Sequence, residues 1–275
     1  MTTRTLALVL FDTASAEWLI EKAAETALGY DAHLIALHPF NPVLFTSGIG
    51  AEPMIVSTML EWEETESKTI RTQFEEVVRR NGLQGEYRAQ TGLYGAERFL
   101  LSSTRAADMV ILGATAENSP DDRVLAHRLI REIGRPALIL GKKTGLPTPP
   151  KQIVVGWTET REATRAVHDM TGLAAPGAQI TLISLHARAS EVEPGLTARE
   201  DLAAALDRAG FSVTTTDRPA TAEERAEDLV RCALEIDADL LVTGAFGHSQ
   251  VYDMLVGAVT RDLLESAPLP VLMSR

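Results

Sequence analysis

The stretch ADMVILG at residues 107–113 returns in the second half of the chain as ADLLVTG at residues 238–244. Each copy is a short apolar run opened by an aspartate and closed by a glycine, which is typical of a strand buried on both faces of a sheet. An internal repeat changes the expected fold, because it predicts two copies of one structural unit.

Two further pairs of apolar runs occur in the same order in both halves. AHLIALH at residues 32–38 matches QITLISLH at 179–186, and RPALIL at 135–140 matches LPVLM at 269–273. Amphipathic helical patterns lie between the runs, and this alternation predicts a parallel sheet with helices on both faces. Ten strands are predicted, near residues 4–11, 32–38, 85–90, 108–113, 136–141, 152–157, 179–185, 211–216, 239–244 and 269–274.

A long amphipathic helix is predicted near residues 52–81. Apolar residues recur at helical spacing along one predicted face, namely Ile55, Met59, Trp62, Ile70, Phe74 and Val77. The acidic run in the same segment is interpreted as a solvated helix face, and it comprises Glu61, Glu63, Glu64 and Glu66.

Length and composition favour two ordinary globular domains. The chain has 275 residues, 45% hydrophobic and 23% charged, which is long for one domain and unlike a disordered protein. The segment 142–150 is rich in proline and polar residues, as expected of a linker. The predicted domains therefore span residues 1–141 and 151–275.

Several classes of protein are disfavoured by the sequence. A net charge of −12 argues against binding of nucleic acid. The absence of a secretory signal or an apolar span, together with a single cysteine, predicts a cytoplasmic protein without membrane segments. A homodimer of the whole chain is expected, because the helix near 52–81 offers aromatic and methionine surface.

A glycine constellation stands where open α/β sheets bind their ligands, at the carboxyl end of a predicted strand. Gly244 and Gly247 follow that strand, and Gly257 opens a predicted helix. Glycines permit close approach of backbone amides to an anion, and a helix N-terminus adds free N–H donors. The pattern predicts a phosphate cradle. Its alternative is that the glycines serve only tight turns and helix–sheet packing.

The spacing G-x2-G-x9-G, followed by a helix and a closing Pro-Val strand, resembles the carboxy-terminal signature of the universal stress protein family. The opening LVLFDTAS at residues 8–15 is similar to the family's first strand. The resemblance implies two tandem open five-stranded parallel sheets of order 3-2-1-4-5 with helices on both faces, the adenine-nucleotide alpha-hydrolase-like (HUP) fold. In the family the last strands pair across a dimer, so residues 136–141 and 269–274 are expected to meet within this chain.

Departures from the family pattern bear on the ligand. The family's ATP-binding members have an Asp at the end of the first strand and Ser or Thr after the third glycine. The first half keeps Asp12 but has no glycine between Gly113 and Gly134, whereas the second half has Thr158 and Ala258 at the two polar positions. The resemblance implies a degenerate ATP site in the second half alone, formed by Gly244, Gly247, His248, Ser249, Gly257, Ala258 and Val259.

The favoured hypothesis is a non-enzymatic stress-response or regulatory protein with a weak or absent ATP site. The alternative is a slow ATPase or small-molecule hydrolase that uses the loop from Gly244 to Thr260. No nucleophile or general base with a recognisable orienting partner supports the enzyme. His38 and His186 end equivalent strands, and hydrogen-bonded histidines are expected there rather than metal ligands, because H-E-x-x-H and paired cysteines are absent.

Overall fold

The computed structural model describes residues 3–40, 53–90, 95–186, 198–221, 224–246 and 258–275. The first half comprises β1 (Thr5–Val9), α1 (Thr13–Tyr30), β2 (His33–His38), α2 (Pro53–Asn81), β3 (Gly85–Ala89), α3 (Ala96–Thr104), β4 (Met109–Gly113), α4 (Pro120–Glu132) and β5 (Ala137–Leu140). The second half comprises β6 (Gln152–Gly156), α5 (Arg161–Thr171), β7 (Gln179–His186), α6 (Ala198–Arg208), β8 (Ser212–Pro219), α7 (Arg225–Glu235), β9 (Leu240–Gly244), α8 (Ala258–Ser266) and β10 (Val271–Ser274).

The strands lie in the order β3-β2-β1-β4-β5-β10-β9-β6-β7-β8. Each half therefore has the predicted order 3-2-1-4-5, and all pairs within a half are parallel. The last strands pair antiparallel, with Leu272 opposite Leu138, which confirms that they meet within the chain. Their pairing joins the two five-stranded sheets into one ten-stranded mixed sheet, which goes beyond the separate sheets expected from the sequence.

Both faces of the sheet are covered by apolar layers. Consecutive residues of a strand point to opposite faces, so Leu8 packs in one layer and Val9 in the other. Each layer contains residues from both halves and continues across the β5–β10 pair. Burial on both faces explains why the strands read as uninterrupted apolar runs. The domain division at 1–141 and 151–275 stays a prediction.

The segment between the halves packs against α1. Leu146 is buried, and a Cβ added to Gly29 would come within 2.4 Å of the Thr148 side chain. Close packing at Gly29 therefore requires a residue without a side chain there.

The aspartates that open the two repeated stretches form equivalent hydrogen bonds to the first strand of each half. Asp108 Oδ2 accepts hydrogen bonds from the backbone N–H groups of Arg4 at 2.8 Å and Thr5 at 3.0 Å. Asp239 Oδ2 accepts the same two bonds from residues 151 and 152, at 2.7 and 3.0 Å. The aspartate that opens each copy of the repeated stretch thus satisfies backbone donors at the start of β1 or β6.

Helix α2 has the predicted length, but its buried face differs from the prediction. Ile70, Phe74 and Val77 are buried as expected. Trp62, predicted on the apolar face, is 60% exposed, whereas Glu63, interpreted as solvated, is only 8% exposed. The physical reason is that a buried stripe traced back from Ile70 in steps of four and three residues reaches Glu66 and Glu63 and misses Trp62.

The outer edges of the sheet are polar. β3 and β8 are the edge strands; their sequences are GEYRA and SVTTTDRP, and exposed residues recur along both. Charged residues and a proline on an edge strand disfavour pairing with another chain. No described helix is long and apolar enough to span a bilayer.

Candidate functional site

The predicted ligand loop begins and ends at the carboxyl edge of the sheet. Gly244 ends β9, and α8 begins at Ala258 and carries Val259 in its first turn. The backbone N–H of Phe246 donates to Thr260 Oγ1 at 3.3 Å, and Thr260 is buried. This bond holds the end of β9 beside the first turn of α8. Four of the predicted site residues lie outside the described residues: Gly247, His248, Ser249 and Gly257.

Gly244 itself is explained by packing. A Cβ added there would lie 2.6 Å from the backbone nitrogen of Ala163 in α5, closer than real Cβ contacts allow. At the equivalent Gly113 the nearest atoms to an added Cβ belong to the Trp18 and Leu19 side chains, at 3.3 Å. Helix–sheet packing, the alternative left open by the sequence, therefore accounts for Gly244.

The segment after β6 presents one exposed hydroxyl group. Trp157 is 8% exposed and packs in the core, so its ring is not an open stacking surface. Thr158 is exposed, and its Oγ1 lies 3.3 Å from Thr160 Oγ1. Thr158 therefore presents its hydroxyl at the edge, next to the exposed Glu159.

Asp12 and Thr158, which the sequence places at equivalent positions, have different local roles in the structure. Asp12 is the N-cap of α1, where its Oδ1 accepts from Ser15 N at 2.7 Å. The N-cap of α5 is Thr160, which accepts from Ala163 N at 3.2 Å. The connection between strand and helix is one residue longer in the second half, so the helix cap falls at Asp12 in the first half and two residues after Thr158 in the second. Asp12 already serves the helix.

The base of the loop is packed against the first half. Phe246 adopts a φ of 62°, and its ring lies 6.5 Å from the His127 ring and 5.7 Å from the Arg131 guanidinium. Burial lowers the pKa of His127, and the nearby Arg123 and Arg261 act in the same direction, against Glu265. A residue that leads into the predicted ligand loop is therefore held by α4 of the other half.

His38 lies at the carboxyl end of β2 and is 1% exposed. Its Nδ1 is 2.8 Å from the Leu10 carbonyl oxygen, and its Nε2 is 3.2 Å from Glu63 Oε1. Glu66, one turn further along α2, accepts from Thr13 N at 3.2 Å. Burial opposes charge on the imidazole, but Glu63, the Leu10 carbonyl and Glu66 outweigh it and raise the pKa of His38. Burial also raises the pKa of Glu66.

His186 lies at the equivalent end of β7 in different surroundings. Its Nε2 is 2.8 Å from Asp217 Oδ1. Arg199 donates to both oxygens of Asp217, at 2.7 and 3.0 Å. Arg199 and, to a lesser extent, His186 lower the pKa of Asp217 against the effect of burial. Both histidines are thus hydrogen-bonded near the crevice, as predicted.

The sequence did not identify Glu63 and Glu66 as partners of His38. The available signal was their place on the buried stripe of α2, in step with Ile70, Phe74 and Val77. The sequence alone does not distinguish these two glutamates from Glu61 and Glu64, which belong to the same acidic run but are exposed.

Comparison with known proteins gives a consistent result. Residues 150–275 match the model of the universal stress protein family. A universal stress protein from Archaeoglobus fulgidus DSM 4304 superposes on 98% of this chain and 96% of its own, with a TM-score of 0.71 and 13% identity. A protein from Pseudomonas aeruginosa UCBPP-PA14 assigned to the same family covers 99% of this chain and 93% of its own, with a TM-score of 0.54 and 17% identity.

A third structure is relevant only to one half. A universal stress protein from Archaeoglobus fulgidus, solved in complex with dAMP, covers 50% of this chain and 98% of its own, with a TM-score of 0.34 and 15% identity. That similarity is too low to carry its ligand over to this chain. No curated protein sequence matches the chain significantly. The family match thus assigns residues 150–275 to the universal stress protein family, and the chain as a whole shares the fold of the two solved structures that cover both halves.

Proposed function

We propose that the protein is a non-enzymatic binding protein that takes an adenine nucleotide weakly at the carboxyl edge of its second half. The observation that carries the proposal is the hydrogen bond from Phe246 N to Thr260 Oγ1. It keeps the two ends of the G-x2-G-x9-G loop together beside β6. The N-terminus of α8 lies at the same place, and a helix N-terminus favours a phosphate group.

Weak binding is expected from the side chains at this edge. Thr158 and Ala258 stand where the resemblance places an Asp and a Ser or Thr. A hydrogen bond to a charged group contributes about 1.5–3 kcal/mol, so loss of a hydroxyl weakens binding while the backbone amides remain. The net charge of −12 adds a weak repulsion of an anionic ligand.

The first half offers no equivalent phosphate loop. After β4, the N–H groups of Thr115 and Ala116 donate to the carbonyls of Leu264 and Glu265 in α8, at 3.0 and 3.2 Å. Backbone donors that follow the fourth strand of this half are thereby used to bind the second half. Nucleotide binding is accordingly proposed for the second half alone.

The surroundings of His186 argue against this histidine as the general base of a hydrolase. Its partner Asp217 is bound by Arg199 through both oxygens. In the described part of the chain, no hydroxyl or thiol group forms a hydrogen bond with His186 Nδ1. A nucleophile activated by this histidine would require such a contact.

Calorimetry with ATP on the wild type, Ala258→Ser and Gly257→Val tests the proposal. Ala258→Ser is expected to tighten binding several-fold, because it supplies a hydroxyl at the start of α8. Gly257→Val is expected to abolish binding by blocking the approach of the phosphates. Equal binding by all three proteins would contradict this placement of the ligand. Release of phosphate at a rate that Gly257→Val removes would instead support the ATPase.

A homodimer of the whole chain stays a prediction. Trp62, part of the aromatic surface on which the expectation rests, is 60% exposed, and Leu60 is 38% exposed. Light scattering across a range of concentrations tests it, and a constant mass of 29.8 kDa would contradict it.

A further inference from the structure

Three side chains converge at the carboxyl edge of the first half, away from the proposed nucleotide site. They are His38 at the end of β2 and Glu63 and Glu66 on α2, and one ligand atom from each lies within 4.8 Å of the others. The two glutamates are three residues apart, which places them on one face of the helix. The arrangement combines one imidazole nitrogen with two carboxylates.

The facing atoms of His38 and Glu63 lack a satisfactory partner. The Leu10 carbonyl can only accept a hydrogen bond, so the His38 Nδ1 atom 2.8 Å away carries a hydrogen. In neutral His38, Nε2 is then an acceptor, and it faces the acceptor Glu63 Oε1 at 3.2 Å. Both atoms are buried, and neither has a well-directed hydrogen bond. Two buried acceptors at this distance are costly unless a proton on Nε2 or a metal ion lies between them.

We propose that His38, Glu63 and Glu66 bind a divalent first-row transition-metal ion of the zinc class. Zinc bonds of about 2.0–2.1 Å to nitrogen and oxygen place neighbouring ligand atoms about 3.3 Å apart in a tetrahedron, close to the 3.2 Å between Nε2 and Oε1. An imidazole ligand favours zinc and its neighbours over calcium and magnesium, which prefer oxygen alone. The bond from Nδ1 to a backbone carbonyl is the support that metal-binding histidines commonly have.

The local charge supports a cation. Glu63 and Glu66 form no ion pair with Lys or Arg within the described ranges, and Asp12 adds a third carboxylate nearby. The carboxylate that faces the histidine of the second half, Asp217 on β8, is already paired with Arg199. The metal site is therefore specific to the first half, and it does not depend on the proposed nucleotide binding.

The test measures binding of Zn²⁺ to the full chain after chelator treatment. Calorimetry is expected to show one site that Glu63→Gln or Glu66→Gln weakens by roughly tenfold or more. The matched control is Glu64→Gln, on the same helix but exposed and paired with Lys68 at 2.7 Å, and it should leave the affinity unchanged. His186→Asn controls for binding at the second half's histidine and should also leave the site intact.

The visible absorption of bound Co²⁺ provides a second measurement, which reports the geometry of the site directly in the wild type. Co²⁺ bound by the wild type should show the intense visible absorption of a tetrahedral site, and Glu63→Gln and Glu66→Gln should each remove it. Circular dichroism checks that the variants are folded. Absence of Zn²⁺ binding by the wild type would overturn the proposal and leave a buried ion pair between His38 and Glu63. Zinc binding that His186→Asn removes and Glu63→Gln preserves would also overturn it.

Discussion

The carboxyl edges of the two halves share a topology and differ in their charge. In the first half, His38 is 1% exposed and faces Glu63 and Glu66. In the second half, His186 is partly exposed and bonds Asp217, which Arg199 holds at 2.7 Å. One half accumulates carboxylates around its histidine, and the other neutralises its carboxylate with an arginine. The repeated position of the histidines therefore does not imply a repeated function.

The scaffold beneath these edges differs much less. Asp108 and Asp239 accept the same pair of backbone bonds at 2.7–3.0 Å, and both halves have the same strand order. Positions that satisfy backbone groups or fill the core are constrained by stability. Side chains at the edge have no such constraint and are free to serve different ligands.

The largest expected effect comes from the strands that join the halves. Leu138 and Leu272 lie opposite each other, each 0% exposed, and replacement of either by Ala is expected to lower the free energy of unfolding by about 2–5 kcal/mol. Unfolding should remain one transition, because the apolar layers run through both halves. Chemical denaturation followed by circular dichroism and by tryptophan fluorescence checks this. Two separate transitions in the wild type would contradict the shared core, and the exposed Leu234→Ala is the control.

The glycines that close β4 and β9 are expected to respond unequally to the same substitution. Gly244→Ala places a Cβ 2.6 Å from the backbone nitrogen of Ala163, whereas Gly113→Ala meets side chains at 3.3 Å. Overpacking against backbone costs about 1–3 kcal/mol, and mobile side chains can yield. Thermal denaturation of the two variants should show a clear loss for Gly244→Ala and a smaller one for Gly113→Ala. Equal losses would show that packing does not distinguish the two positions.

The aspartates of the repeated stretch are expected to respond alike. Asp108→Ala and Asp239→Ala each leave two backbone N–H groups without their acceptor, at a cost of about 1–3 kcal/mol. Urea denaturation of both variants measures the cost. A loss confined to one variant would mean that the two halves do not use the repeated residue in the same way.

The smallest expected effect concerns pH. His127 lies at the contact of α4 with Phe246. In the second half the residue at the same distance before the last strand is Arg261 in α8. Because burial lowers the pKa of His127, the unfolded chain takes up a proton first as the pH falls below about 6.5. The wild type should then lose slightly more stability than His127→Gln between neutral and mildly acidic pH. Melting temperatures of both proteins across that range test the sign, and identical pH profiles would contradict it.

The strands were predictable and the edge was not, for reasons visible in particular residues. A strand buried on both faces must be apolar throughout. Runs such as residues 108–113 can therefore be recognised as strands from the sequence alone, without knowing which strands lie beside them. The burial of Glu63 depends instead on where α2 meets His38 at the carboxyl end of β2, which no local pattern records. Asp12 has the chemistry of a ligand-binding residue, but the length of its connection makes it a helix cap. Most of the predicted nucleotide loop lies outside the described residues and stays a prediction.

The antiparallel contact between β5 and β10 has a consequence for how the two halves can change. In a symmetric homodimer every substitution appears twice and must suit both copies of the interface. When the two halves are parts of one chain, the interface no longer has to be self-complementary. The linker also keeps the halves at a fixed effective concentration, so they stay associated on dilution. A glutamate introduced beside one histidine then has no obligatory twin beside the other. The intramolecular seam at Leu138 and Leu272 thus permits the asymmetry between the edges of a single molecule.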